Sequence, residues 1–321
     1  MKRILLFFLM VCPLAGTAIR AELQRDAEGF YLIGTAGELV EFSAMTNDKS
    51  NDANRLLCAR LTADIDLSGV ANFAPIGSHM DIDLVTGMTV KDWDYRGTFD
   101  GQGHVIRNLS IQCSDYGEAG FFGRTCDATI CNLGFENATI VSTNAIRAGV
   151  LAGIVLRGRV ENVFTIGDIT ISTENPEKGG LAGSVLSFGN TAIVRSCFTT
   201  SETLLTVNEQ FMPSLINCYA ADDVARMAPT GELCYALNAG ETENVAWYQT
   251  LASDPYPVLD STHKVVFKRT EDGTFYNLED AIQTPTANNQ RPTAIYDLSG
   301  RRVQRTAKGV YIVNGKKQVV K

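Results

Sequence analysis

Three Asp-x-Asp pairs, Asp64/Asp66, Asp81/Asp83 and Asp92/Asp94, stand out among the chemistry-bearing residues of this 321-residue chain. Residues two apart on a strand share a face, so each pair sets two carboxylates side by side, an oxygen-donor arrangement that suits Ca²⁺. Asp64, Asp66, Asp92 and Asp94 are therefore candidate calcium ligands. The competing reading is a solvated face or cap, because neither an EF-hand nor a nonapeptide calcium repeat surrounds them. Segment 78–95 adds His79, Trp93 and Tyr95 as candidate ligand-binding residues. Trp93 and Tyr95 alternate along the chain, so both rings could stack on a sugar or pack on a partner, or else cover an apolar edge. Glycan hydrolysis would need two carboxylates about 5–10 Å apart, and elimination a base beside a cation. Asp100 and His104 fall within one eight-residue word, but no Ser/His/Asp or His/Cys/Asp set assembles from the sequence, and no catalytic residue is assigned.

The elements that must carry these groups repeat. Ala119-Gly120-Phe121-Phe122-Gly123, Gly149-Val150-Leu151-Ala152-Gly153 and Gly179-Gly180-Leu181-Ala182-Gly183 end in glycines thirty residues apart, at Gly123, Gly153 and Gly183. A second series, Asn108-Leu109, Asn132-Leu133, Asn162-Val163, Ser196-Cys197 and Asn217-Cys218, advances by 24, 30, 34 and 21 residues. Such units are too short to hold a core alone and fit the coils of a solenoid. Short β-branched runs such as Val105-Ile106-Arg107-Asn108-Leu109-Ser110-Ile111 make the coils strands. The expectation is an all-β chain, a right-handed parallel β-helix. Its glycines should turn the corners at positive φ, and its Asn108, Asn132, Asn162 and Asn217 should stack and hydrogen-bond from coil to coil. Thr35 followed by Glu38 predicts a capping box opening a short helix over the first coil, with Leu39, Phe42 and Met45 on one face. Residues 231–238 predict a short helix at the other end, followed by an aromatic, proline-containing stretch through Leu259.

Composition sets the termini apart. Lys2 and Arg3, the apolar run Ile4 to Val11 and the small residues Ala15, Gly16, Ala18 and Ala21 read as a signal peptide over 1–21. Nowhere does an apolar run reach the roughly 18 residues of a membrane-spanning helix, so no transmembrane segment is expected. The formal charge of −8 becomes −11 without residues 1–21 (25 basic, 36 acidic), and −18 over residues 22–290 (17 basic, 35 acidic). An acidic body of this kind excludes nucleic acid as the expected partner. Residues 291–321 carry eight basic side chains against Asp297 alone, and Asn314-Gly315 between two apolar runs predicts a hairpin, so a small antiparallel β domain should close the chain. The seven cysteines after Cys12 are an odd number, spaced as buried hydrophobes rather than a zinc site, with Cys126 and Cys131 the nearest local pair.

The words Gly97-Thr98-Phe99-Asp100-Gly101-Gln102-Gly103-His104, Asn132-Leu133-Gly134 and Asn217-Cys218-Tyr219, with the glycine segments, resemble the GLUG-repeat proteins of Bacteroidota surfaces, over roughly residues 30–262. Tyr296-Asp297-Leu298-Ser299-Gly300-Arg301-Arg302-Val303, then Gly309-Val310-Tyr311-Ile312-Val313 and the lysines through Lys321, are similar to the sorting tail of type IX secretion cargo. In that resemblance Asp297, Gly300, Arg301, Gly309, Tyr311 and Lys321 carry the tail. Together they imply four parts: signal peptide 1–21, β-helix with caps 22–262, connecting segment 263–293 and sorting tail 294–321. They also imply an exported, cell-surface or extracellular protein of a Gram-negative bacterium that meets the type IX machinery. The expected function is adhesin-like binding of a glycan or an extracellular protein through solenoid faces and the 78–95 insert. A glycan-cleaving β-helix enzyme and a purely structural surface protein are the alternatives.

Overall fold

The computed structural model describes residues 23–77, 79–82, 89–113, 117–174, 177–278, 295–297, 302–303, 309–313 and 316–320. Segment 1–21 and the tail residues Gly300, Arg301 and Lys321 lie outside them. Contacts divide the chain into two units, Met1–Tyr276 and Asn277–Lys321, so the boundary falls inside the expected connecting segment.

The first unit opens with β1 (Tyr31–Ile33), α1 (Ala36–Thr46), β2 (Ala59–Leu61) and β3 (Ile65–Asp66). The Thr35 hydroxyl accepts from Glu38 N–H at 3.2 Å, and the Glu38 carboxylate reaches back to Gly34 N–H at 2.8 Å, which satisfies donors that the first turn of α1 leaves free. Leu39 and Phe42 of α1 are fully buried, and the Phe42 ring meets Tyr31, Tyr95 and Phe99 edge-on. This helix closes the front of the core, as its apolar face predicts.

A hairpin of β4 (His79–Ile82) and β5 (Thr89–Trp93) precedes the coils, with His79 opposite Trp93. The coils follow as β6 (Thr98–Asp100), β7 (Val105–Cys113), β8 (Gly117–Ala119), β9 (Phe122–Cys126), β10 (Thr129–Ser142), β11 (Ala145–Gly149), β12 (Ala152–Leu156), β13 (Arg159–Ser172), β14 (Lys178–Gly179), β15 (Ala182–Leu186), β16 (Ile193–Thr199), β17 (Leu205–Thr206) and β18 (Ser214–Tyr219). Strands one coil apart pair in parallel: β10 with β13 in the long sheet, β11 with β14 in a second, β12 with β15 in a third. The result is a parallel β-solenoid of about five turns. Each coil's inward side chains rest on those of the next, which buries Leu133 and Val163, Ile130 and Val160, and the Phe99, Phe121, Phe122 and Phe135 rings.

The corners correct the sequence expectation. Gly123, Gly153 and Gly183 do not take a left-handed φ; Asn132, Asn162, Ser196 and Asn217 do, at 51–53°. These four follow Cys131, Glu161, Arg195 and Ile216, which stand opposite one another, so they form one column. Asn tolerates this conformation because its short polar side chain bonds locally. Asn108 belongs to a second column, opposite Asn137 and then Gly167, with φ of 59°, 57° and 84°. The glycines serve another purpose: a Cβ on Gly153 would stand 2.4 Å from the Glu118 Cβ and one on Gly183 would stand 2.6 Å from Ala148 N, so only hydrogen fits between the coils there.

The back is closed by α2 (Ala221–Met227), α3 (Glu232–Leu237) and the stretch carrying Trp247, which packs with Phe164 and Phe198 in a second core. The seven cysteines among the described residues are free thiols. Cys126 and Cys131 sit on different sheets on either side of the left-handed Asp127 corner, which separates a pair that is close in sequence. Beyond β19 (Phe267–Lys268) and β20 (Phe275–Tyr276), the second unit holds β21 (Ile295–Asp297), β22 (Arg302–Val303), β23 (Gly309–Val313) and β24 (Lys316–Val320). They form an antiparallel sheet in the order β22-β21-β23-β24, with Val313 opposite Lys316 as the Asn-Gly signal predicts.

Candidate functional site

One cavity of about 400 Å³ gathers the titratable residues that the sequence scatters: Asp64, Gln102, His104, Arg107, Asp260 and His263 line it. Asp64 immediately precedes β3, and β3 lies in parallel register under β7, with Ile65 opposite Ile106. That register sets Asp64 beneath the start of β7, where its Oδ1 accepts from Val105 N–H at 3.1 Å and stands 3.2 Å from His104 Nδ1. Arg107 Nη1 donates to Asp64 Oδ2 at 2.9 Å, and Arg107 Nε donates to Glu136 on the next coil at 2.8 Å. Gln102 and His104 belong to the turn between β6 and β7. Gly103 in that turn has φ 85°, and a Cβ there would stand 2.9 Å from the Leu259 carbonyl oxygen, so glycine lets the turn approach the 259–263 loop. Across the cavity, His263 Nδ1 lies 2.6 Å from Asp254 Oδ2 and its Nε2 lies 4.0 Å from Asp260 Oδ2.

The carboxylates are held ionised. Burial alone would raise the Asp64 carboxyl, but hydrogen bonds from Val105 N–H, Arg107 and His104 hold it below the usual range. Asp254 follows the same pattern, with burial outweighed by His263 and Thr250 N–H, and Asp260 is lowered chiefly by Thr262 N–H. A glycosidase acid must instead be held protonated at neutral pH, by a raised pKa. The cavity therefore offers ionised acceptors and a guanidinium donor, groups that hold hydroxyls.

The other candidates are placed as follows. Trp93 and Tyr95 are each only 1% exposed, which corrects the stacking platform expected of them. Trp93 Nε1 donates to Thr46 O at 2.8 Å beneath the Arg55 guanidinium; Tyr95 OH donates to Leu57 O at 2.9 Å and its ring stacks on Phe122. The apolar area of two rings outweighs any gain from display, and each polar tip finds an acceptor. The His79 and Asp92 side chains lie outside the described residues. Asp66 is occupied by Asn108 and Ser68, and Asp94 is 2% exposed on its side chain and paired with Arg96 and Arg124. No group of three or more His, Cys, Asp or Glu able to hold a metal occurs among the described residues. Asn132 Nδ2 donates to Asp100, and Asn162 Nδ2 donates to Asn132 at 3.0 Å, so the expected ladder is realised over that step. Gln102, Arg107 and Asp260 escaped the sequence reading. The one available signal was the eight-residue word ending in His104, which needs a partner across a turn.

No family model matches the chain. Over 147 residues, 46% of its length, the chain is 32% identical to halomucin of Haloquadratum walsbyi, of which it spans 2%. A crystal structure from Bacteroides ovatus, named as a candidate immunoglobulin A1 protease, matches with a TM-score of 0.44 and 22% identity over 61% of this chain and 58% of that one. No described helix is long and apolar enough to cross a membrane.

Proposed function

We propose that this chain is an exported β-solenoid binding protein whose ligand is a hydroxyl-rich glycan held in the cavity between the β6–β7 turn and the 259–263 loop. The observation that carries the reading is the convergence of Asp64, Gln102, His104, Arg107, Asp260 and His263 on about 400 Å³ of open space. Carboxylates, an amide, imidazoles and a guanidinium supply acceptors and donors in the mixture that sugar hydroxyls require. Export rests on residues Lys2 to Ala21, and passage to the cell surface through type IX machinery rests on the resemblance of residues 294–321 to a sorting tail. The adhesin-like role moves from the rings of the 78–95 insert to this cavity.

One experiment serves the proposal, with two readouts. The exported protein is screened on a glycan array, and its best ligand is titrated against the wild type and against Asp260→Ala and His263→Ala, whose side chains are partly exposed. Each variant should weaken binding by about tenfold or more, since a hydrogen bond to a charged group contributes about 1.5–3 kcal/mol. Unchanged affinity in both variants, or binding of extracellular proteins but no glycan, overturns the reading. Fractionation of the producing cells should find the protein outside the cytoplasm, and cytoplasmic retention would overturn export.

A further inference from the structure

A second binding surface lies on a different sheet. The faces of β9, β12 and β15 turned away from the main core carry a separate apolar cluster of Cys126, Ile154, Leu156 and Leu186. All four are 9% exposed or less and Phe211 packs against them, so the chain's own side chains cover this floor. Phe188, 40% exposed, stands at its edge with Phe211 against it, ring centroids 4.1 Å apart. A cavity of about 400 Å³ opens beside this floor, walled by Arg96, Arg124, Arg147 and Arg157 together with the Asp94 carboxylate.

The guanidiniums are held in place from behind. The Asp94 and Glu118 side chains are 2% and 0% exposed; Asp94 binds Arg96 at 3.0 Å and also Arg124, and Glu118 stands 3.5 Å from both Arg124 and Arg147. Arg147 Nε also meets Glu177 at 2.5 Å. Arg157 Nε and Nη2 bond Asp127 at 2.8 and 2.6 Å, and Nη2 reaches Cys126 Sγ at 2.9 Å. Arg157 has φ 57°, a left-handed backbone that a long side chain takes at a cost, and the adjacent Gly158 would take it freely. Buried carboxylates are an expensive way to stabilise a sheet and an effective way to fix the direction of cations.

We propose that this cavity binds a saccharide bearing a carboxylate or sulfate group, with the anion on the arginines and the C–H face of the sugar ring on Phe188. Guanidiniums match planar oxyanions with paired N–H donors, and flat apolar side chains pack against sugar faces. An acidic peptide fits less well. In the sheet order β17-β15-β12-β9, both β12 and β15 are flanked on each side, so no open edge is offered where the floor lies. The −18 charge of residues 22–290 gives no long-range pull on anions, so recognition is a short-range matter of this cavity. The inference stands independently of the hydroxyl-binding cavity, which lies against β7.

The test is calorimetry of the exported protein with three probes of matched length: an oligogalacturonate, a sulfated oligogalactose and a neutral oligogalactose. At least one anionic probe should bind tenfold or more tighter than the neutral one, with affinity falling as NaCl is raised; the preferred probe distinguishes carboxylate from sulfate. Arg157→Gln and Arg96→Gln should each lose at least tenfold. Phe188→Ser, at an exposed position, should weaken binding even if an arginine variant folds poorly. Equal binding of neutral and anionic probes, absence of binding by both anionic probes, or wild-type affinity in Arg157→Gln, Arg96→Gln and Phe188→Ser together overturns the proposal. Displacement of the bound saccharide by an acidic peptide of higher affinity would assign the cavity to protein instead.

Discussion

Asn162 shows how much one corner residue does. Its backbone is left-handed, its Nδ2 donates to Asn132 one coil before, and its Oδ1 accepts from Nε1 of the fully buried Trp247 at 3.2 Å. Asn162→Ala should therefore lower the unfolding free energy by about 2–4 kcal/mol: an unmet buried indole donor costs about 1–3, and the left-handed conformation adds about 1. Asn162→Gly should recover about 1 kcal/mol of that loss, because only the conformational share is relieved. Urea denaturation of both variants checks this, and equal losses would show that the corner is not strained. The Asn-apolar words are visible in the sequence, but local propensity points to the glycines for the left-handed corners, since glycine is the default residue there. What decided otherwise is that the corner residue must also bond to its neighbours above and below, which glycine cannot do through a side chain.

At the scale of elements, strands β8 to β15 are spaced by what their glycines lack. Gly153→Ala would drive a methyl group to 2.4 Å from the Glu118 Cβ and 2.8 Å from Ala119 N, with backbone on the other side, and should cost about 2 kcal/mol or more. Gly69→Ala, at an exposed position with nothing within 4 Å of the added atom, should change stability by less than about 0.5 kcal/mol. Thermal unfolding of the pair compares them, and a mild Gly153→Ala would remove the packing role. The thirty-residue period was legible because a solenoid repeats its core contacts. The sheet faces that need glycine were not, because close approach is a property of two coils and a single sequence presents them in series.

For the first unit as a whole, the lowered carboxyls set a direction for acid stability. Asp64, Asp66, Asp127, Asp254 and Asp260 all bind protons less readily in the folded chain than the ordinary carboxylate near 3.8. For Asp64 and Asp254 hydrogen bonds outweigh burial; for Asp66, Asp127 and Asp260 the leading cause is a direct bond from Asn108, Arg157 and Thr262 N–H, respectively. A lowered folded pKa contributes stability above the unfolded value, and that contribution is lost as pH falls through the folded one. The urea midpoint should hold from pH 7 to about 5 and fall steadily below about 4; a midpoint at pH 3 equal to that at pH 7 would contradict the network. The sequence by itself determined an all-β solenoid of thirty-residue coils, a capping helix opened at Thr35 and an antiparallel C-terminal pairing, since each follows from propensity and spacing within a few residues. Only the tertiary structure decided that Trp93 and Tyr95 are core, that Asp64, His104 and His263 share a cavity, and that four arginines wall another beside an apolar floor. Stacking coils is what brings such distant residues together, and local propensity carries no information about which rung lies beneath which.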